Sequence, residues 1–429
     1  MGKVWPWLAV GAVALQGPLL GEALRPTARP VDFFQEWASA REVLAGRPAY
    51  PDLDEATPRL LGVPADPWPT RVRVNAHPPA AILAALPFGG LRYGPALAAW
   101  RLMSAAAVLG SAALIVGARG ARPRAGPLLA AAVVLATSGP VAGALYQGQW
   151  SAPLLAILVV AWWSLRTGRS TLAGGLIGVA ACLKVFPAFL LLHLALRGRW
   201  RALAAGVVAV AVVQSATAAI LGPGVFAEYG RGMGRVAVFR AGWANASLPG
   251  LAAKLFDPGM STGLRSLYPS RALALVGSTV GVVLVIVAYA RATIRLGPSA
   301  EAEDRGFGLA LTSMLLLGPL TWEHSLVLML LPITLLWRAP GVSAVLKAAT
   351  TFGLWVMPMT WTSAWLLLAG DFRAAPTLGP LATLTVVSAP LYALLAAFGL
   401  QLAQPTGGRA PRPAARAGPD RTAPAAAGR

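Results

Sequence analysis

Long apolar runs alternate along the chain with short breaks that carry arginine, proline and glycine. A membrane crossing needs about 20 apolar residues, somewhat fewer when the helix is short or bent. On that rule the pattern predicts spans over Val4 to Leu20, Pro95 to Gly117, Pro127 to Tyr146, Ser151 to Leu165, Ala202 to Leu221, Ala272 to Thr293, Phe307 to Thr321, Leu326 to Trp337, Val342 to Trp361 and Leu378 to Leu402. Two further segments do not fit a straight crossing. Residues 172–196 run from one basic cluster to the next and hold Lys184 and Pro187 at their centre, which predicts two half-length helices that dip in and return. The run HPPAAILAALPFGGL, residues 77–91, is short and rich in proline and glycine, and predicts a helix lying at the outer surface or dipping into it. With the returning pair counted as two crossings, the total is roughly twelve.

Composition turns this pattern into a class. With 56% hydrophobic and 12% charged residues over 429 positions, the chain cannot surround one soluble core with a charged surface, so it reads as an all-α polytopic membrane protein. Most bases behind the formal charge of +20 lie between apolar runs or in the tail, a distribution that suits membrane topology and argues against nucleic-acid binding. Basic residues near span ends are held in the cytoplasm. Arg119, Arg122 and Arg124, then Arg166 and Arg169, then Arg197, Arg199 and Arg201, mark three successive cytoplasmic sites, which makes both termini cytoplasmic. The first apolar run is expected as a retained anchor, because no small-x-small cleavage site follows it. Two long loops, residues 22–93 and 222–270, are left outside, and their length points to function. The integral domain then covers residues 1–404, and residues 405–429, made mostly of Pro, Ala, Gly and Arg, are expected as a disordered tail in contact with anionic lipid. The one cysteine, Cys182, excludes an intramolecular disulfide and reads as packing. Only four of the 36 basic residues are lysines (Lys3, Lys184, Lys254 and Lys347), which with abundant Ala, Gly and Pro suggests a GC-rich bacterial genome.

Ionisable groups at membrane depth are costly, so each is a candidate site. Lys184, in ACLKVFPAF, falls at the tip of the broken helix, beside the free N–H groups of the returning half; a phosphate is the natural guest, and snorkelling is the plainer alternative. Glu323 and His324, in GPLTWEHSL, stand between two spans on the outer side, where a histidine can donate to phosphate oxygen and a glutamate can orient it, or where both simply face solvent. YQGQW, residues 146–150, adds Gln147 and Gln149 around a glycine, either beside a ligand or as an interfacial turn. Asp32 and Glu36 are spaced to share a helix face flanked by Phe33 and Trp37, with the apolar side expected on lipid; Asp32 can serve as a base for a hydroxyl proton or merely cap that helix. Asp52 and Asp54 form a two-acid pair too common to assign to a metal, and the histidines are too scattered for a zinc site.

An early Asp followed by AREVLAGRPAYP, then HPPAA, YQGQW, LAGGLIGVAACLKVFPAFLLL, NASL at 245–248 and TWEHS run in one order over most of residues 30–340. In that order they resemble glycosyltransferase family 87 of the GT-C fold, whose best-known members are polyprenyl-phosphate-mannose-dependent mannosyltransferases and an arabinosyltransferase. The resemblance implies an inverting sugar transfer, mannose before others, from a polyprenyl-phosphate-linked donor to a lipid or glycan acceptor. The reaction would run on the outer face of a bacterial plasma membrane, with no nucleotide, cofactor or metal. It implies Asp32 as general base, and Lys184 and His324, helped by Arg240, as holders of the departing phosphate. Glu36, His77, Gln147, Gln149, Asn245 and Glu323 would shape the sugar and acceptor site. The remaining acids, such as Glu301 to Asp304, are expected in solvated loops. Two rival classes are a lipid or solute transporter, against which stands the lack of an inverted repeat, and a non-catalytic member of the same fold.

Overall fold

The computed structural model describes residues 30–65, 73–118, 138–259, 264–358 and 378–404, together with Gly21. Among the described residues the secondary structure is helical, with an isolated bridge between Leu264 and Leu378 and no strand. The predicted span Val4 to Leu20, residues 127–137 of the next but one, and the tail 405–429 lie outside the described residues.

From residue 30 the described part begins with three short helices: α1 (Phe33–Leu44), α2 (Leu53–Leu61) and α3 (Pro79–Gly89). The apolar side of α1 faces protein, not lipid as the sequence suggested. Phe33, Phe34 and Trp37 are buried in an aromatic cluster with Phe88, Tyr93 and Trp100, ring centroids 4.9–6.4 Å apart. The reason lies downstream: α3 and the start of α4 (Tyr93–Gly117) fold over α1 and offer it more aromatic surface than a lipid face would. Two polar bonds fix the cover, Trp37 Nε1 donating to Leu91 O at 3.0 Å and Arg41 to Gly89 O at 3.1 Å.

The chain continues through α5 (Gly139–Gln147), α6 (Ser151–Arg166), α7 (Ser170–Leu183), α8 (Phe189–Leu196), α9 (Trp200–Leu221), α10 (Val225–Val236), α11 (Leu248–Phe256), α12 (Arg271–Ile294), α13 (Ala300–Leu317), α14 (Leu330–Arg338), α15 (Ala344–Trp355) and α16 (Ala389–Leu402). Helices α4, α9 and α12 are long and apolar enough to cross a membrane. On α9 and α12, Val207, Val208, Val212, Leu275, Val276 and Leu284 are more than half exposed, which suits helices whose outer faces meet lipid. Roughly twelve full crossings are not found among the described residues, which hold three, or five if two bent pairs each count once. Part of the difference lies on residues that are not described; elsewhere charge and breaks account for it, since α13 begins with Glu301, Glu303, Asp304 and Arg305, and the segment before α14 is a 3₁₀ turn, Glu323–Met329.

The segment around Lys184 breaks where the sequence placed the break. Helix α7 ends at Leu183, Lys184 is extended, and a 3₁₀ turn at Phe186–Ala188 leads into α8. Arg166, just before α7, pairs with Asp304, while Arg197 and Arg199, just after α8, pair with Glu303. Those acids are chain neighbours, so both ends of the segment meet one point on α13 and Lys184 lies at the far turn, about 20 Å away at 1.5 Å per helical residue. Glu303 and Asp304 are therefore not solvated, contrary to expectation: both are buried, and Trp162 Nε1 also donates to Asp304 at 2.9 Å. Glycine lets α7 press on α9. A Cβ at Gly174 would sit 1.8 Å from Ala202 O, and one at Gly178 2.3 Å from Gly206 O.

Candidate functional site

Asp32 stands immediately before α1 but does not cap it. Its Oδ2 instead accepts a hydrogen bond from Gln149 Nε2 at 2.6 Å, and its backbone N–H reaches Gln147 Oε1 at 3.4 Å. The other end of the Gln149 amide, Oε1, accepts from Lys184 Nζ at 3.5 Å. One buried amide thus joins the carboxylate of the first loop to the ammonium at the tip of the broken helix. The glycine between the two glutamines makes this possible: Gly148 has φ 64°, and a Cβ there would lie 2.6 Å from Phe33 Cβ. The bend of 119° between α5 and α6 then aims both glutamines at the start of α1.

Glu36, one turn further along α1, pairs with His77 Nδ1, and both side chains are buried. His77 arrives there because residues 75–77 are tied to α1. Asn75 Nδ2 donates to Gln35 O at 3.2 Å and Ser39 Oγ at 3.1 Å, Ala76 N–H donates to Gln35 Oε1 at 3.0 Å, and Tyr50 OH donates to His77 O at 2.8 Å. Sequence reasoning did not single out Asn75 or Gln35; the trace of the first is an Asx turn, Asn75 Oδ1 accepting from His77 N–H at 2.9 Å.

Burial pushes the Asp32 carboxyl above its ordinary value; Gln149, His77 and Lys184 pull it down, and Glu36 adds to the rise. Lys184 stands over the Phe186 ring at 5.6 Å and is close enough to Asp32 and Glu36 to be attracted by both. His324 is buried on the 3₁₀ turn, within electrostatic reach of Lys184 and His77, and its Nε2 has no partner among the described residues. Seven of the predicted site residues, Asp32, Glu36, His77, Gln147, Gln149, Lys184 and His324, thus form one cluster.

The other three sit beside it. The Asn245 amide is engaged with backbone, donating to Arg240 O at 2.8 Å and Pro319 O at 3.0 Å and accepting from Thr321 N–H at 2.9 Å. Glu323 is buried and its charge acts on Lys254, a residue the sequence reading passed over. Arg240 is exposed on the 3₁₀ turn Ala237–Ala241. Asp52 caps α2 through Asp54 N–H at 2.9 Å, and Asp54 pairs with Arg73 at 3.0 Å.

The arrangement defines a class: a helical membrane protein with a carboxylate, an ammonium and an imidazole gathered at one end of its bundle. The sequence model of glycosyltransferase family 87 matches residues 75–321, more than half of the chain, and the protein belongs to that family. The match takes in His77, Gln147, Gln149, Lys184, Arg240 and Asn245, while Asp32 and Glu36 precede it and Glu323 and His324 follow it. No curated protein and no solved structure matches the chain.

Proposed function

We propose that this glycosyltransferase moves a sugar, mannose before others, from a polyprenyl-phosphate donor to a hydroxyl of a lipid or glycan acceptor, with inversion, on the extracytoplasmic side of a bacterial plasma membrane. The observation that carries the reading is the Asp32–Gln149–Lys184 chain. In a single displacement the acceptor oxygen attacks the anomeric carbon from the face opposite the phosphate, so the group that takes the acceptor proton and the groups that meet the phosphate have to stand apart with the sugar between. Asp32 and Lys184 are one amide apart, and a sugar hydroxyl can exchange bonds with that amide.

In this reaction Asp32 removes the acceptor proton as the C–O bond forms. The bond from the anomeric carbon to the phosphate oxygen breaks, and the phosphate leaves with both electrons of that bond. Lys184 and His324 meet the growing charge, the latter through its unpartnered Nε2, with Arg240 at the rim. Gln147 and Gln149 hold sugar hydroxyls, and the Glu36–His77 pair walls the acceptor side. Asn245 and Glu323 act by holding the turn that carries His324. A GT-C architecture with roughly twelve crossings and cytoplasmic termini fits these roles.

The test is transfer of radiolabel from polyprenyl-phosphate mannose, and separately arabinose, to envelope lipids by purified protein in nanodiscs. Label in a new product with the native protein and none with Asp32→Asn establishes both donor class and base. Flux of a lipid or solute through proteoliposomes without transfer would instead favour a transporter.

A further inference from the structure

Lys254 lies on α11 in the second long loop and is 1% exposed. Its Nζ donates to Trp243 O at 3.0 Å and Asn245 O at 2.8 Å, and the charge of Glu323 acts on it. A buried ammonium is costly unless its donors are met, and a methionine would fill the same space without that cost. The amine is therefore explained by the two carbonyls it holds, with the Glu323 carboxylate within electrostatic reach.

Those carbonyls belong to a segment that is itself bonded to the wall of the site. Ala246 N–H donates to Thr321 O at 2.8 Å, and Thr321 N–H returns a bond to Asn245 Oδ1. Asn245 can lie flat there only because residue 250 is glycine, whose Cβ would stand 2.6 Å from Asn245 Cγ. Trp322 likewise covers Gly242, where a Cβ would be 2.7 Å from the ring. Two residues beyond Trp322 stands His324. We infer that Lys254 is a positioning residue, which fixes residues 243–246 against 319–322 and so holds the His324 imidazole at the donor phosphate.

Burial lowers the Lys254 pKa to about 7, against the pull of Glu323 in the other direction. Neutral or charged, the amine keeps N–H donors for both carbonyls.

The effect on turnover rests on the transfer reading above; the brace itself does not, and two measurements separate them. Hydrogen exchange of the full chain in nanodiscs is compared between native protein, Lys254→Met and Asn245→Ala. Exchange is expected to rise about tenfold in peptides covering both 243–247 and 319–325, with 33–44 and 170–183 unchanged. Lys254→Gln, which keeps N–H donors on a shorter stem, is the milder variant and is expected to show the same two segments at smaller amplitude. A rise confined to 248–256, a rise throughout the protein, or no rise overturns the inference. In the second measurement, KM for polyprenyl-phosphate mannose rises about tenfold in Lys254→Met but by less than about twofold when the same change is made in His324→Ala, because the two act through one group. An equal rise on both backgrounds makes Lys254 a general stabiliser and overturns the positioning role. If the native protein transfers no sugar, the transfer reading fails and the exchange result alone decides the brace.

Discussion

Helix α6 joins two clusters of buried charge that are built in opposite ways. At its C-terminal end, Asp304 takes Arg166 and the Trp162 indole, and Glu303 one residue before takes Arg197 and Arg199. Beyond its N-terminal end, Asp32 meets a neutral amide, and Lys184 is bonded to the far end of that amide. An aspartate locked to a guanidinium has its lone pairs filled, which suits a clasp and makes a poor base. One facing an amide keeps a lone pair for a substrate, and burial makes it more basic. Buried acid thus meets arginine at one end of α6 and glutamine at the other, and under the proposed transfer the first is structural and the second does the chemistry.

The strongest way to break that contrast is Asp32→Asn. General-base catalysis contributes about 10²- to 10⁴-fold, so turnover should fall by that order while melting temperature and donor binding hold; a variant retaining full kcat removes Asp32 from the mechanism. Asp304→Ala is expected to do the reverse. It leaves Arg166 without its buried partner, at a cost of about 3 kcal/mol, read as a lower melting temperature with kcat per folded molecule unchanged.

A pH profile sharpens the comparison. Asp32 must be ionised to accept a proton, so kcat/KM is lost as pH falls through its raised pKa, and the acid limb should lie above the ordinary aspartate value of 3.8. Gln149→Leu removes a bond that favours the charged form, so the limb should move to still higher pH, whereas Asp304→Ala should leave it in place. The smallest effect is expected at the exposed pair of Arg73 and Asp54: Arg73→Gln should cost less than about 1 kcal/mol and leave kinetics unaltered.

Much of the site was legible because membrane burial makes polar residues conspicuous. Lys184 in an apolar run, the glycine between two glutamines and the i, i+4 carboxylates of α1 all carry local signals, and all meet at one end of the bundle. Lys254 carried none: nothing near it in sequence shows that it turns inward to the carbonyls of Trp243 and Asn245. Glu303 and Asp304 were misread for the same reason, since their partners lie more than a hundred residues earlier in the chain. The crossing count exceeds what the described helices support; one crossing and parts of two more lie outside the described residues, and hydropathy does not reveal that α13 opens on charged residues of which Glu303 and Asp304 are buried inside protein.

By itself the sequence determined the solvent this protein folds in, the break at Lys184 and the residue types able to handle an acceptor proton and a phosphate. Those follow from composition, helix-breaking residues and side-chain chemistry, which are local. Only the tertiary structure decided which carboxylates meet arginine and which meet an amide, and which segments are bonded to the turn before His324. Those outcomes depend on contacts between distant segments, and burial turns a small difference in partner, amide or guanidinium, into a difference of role.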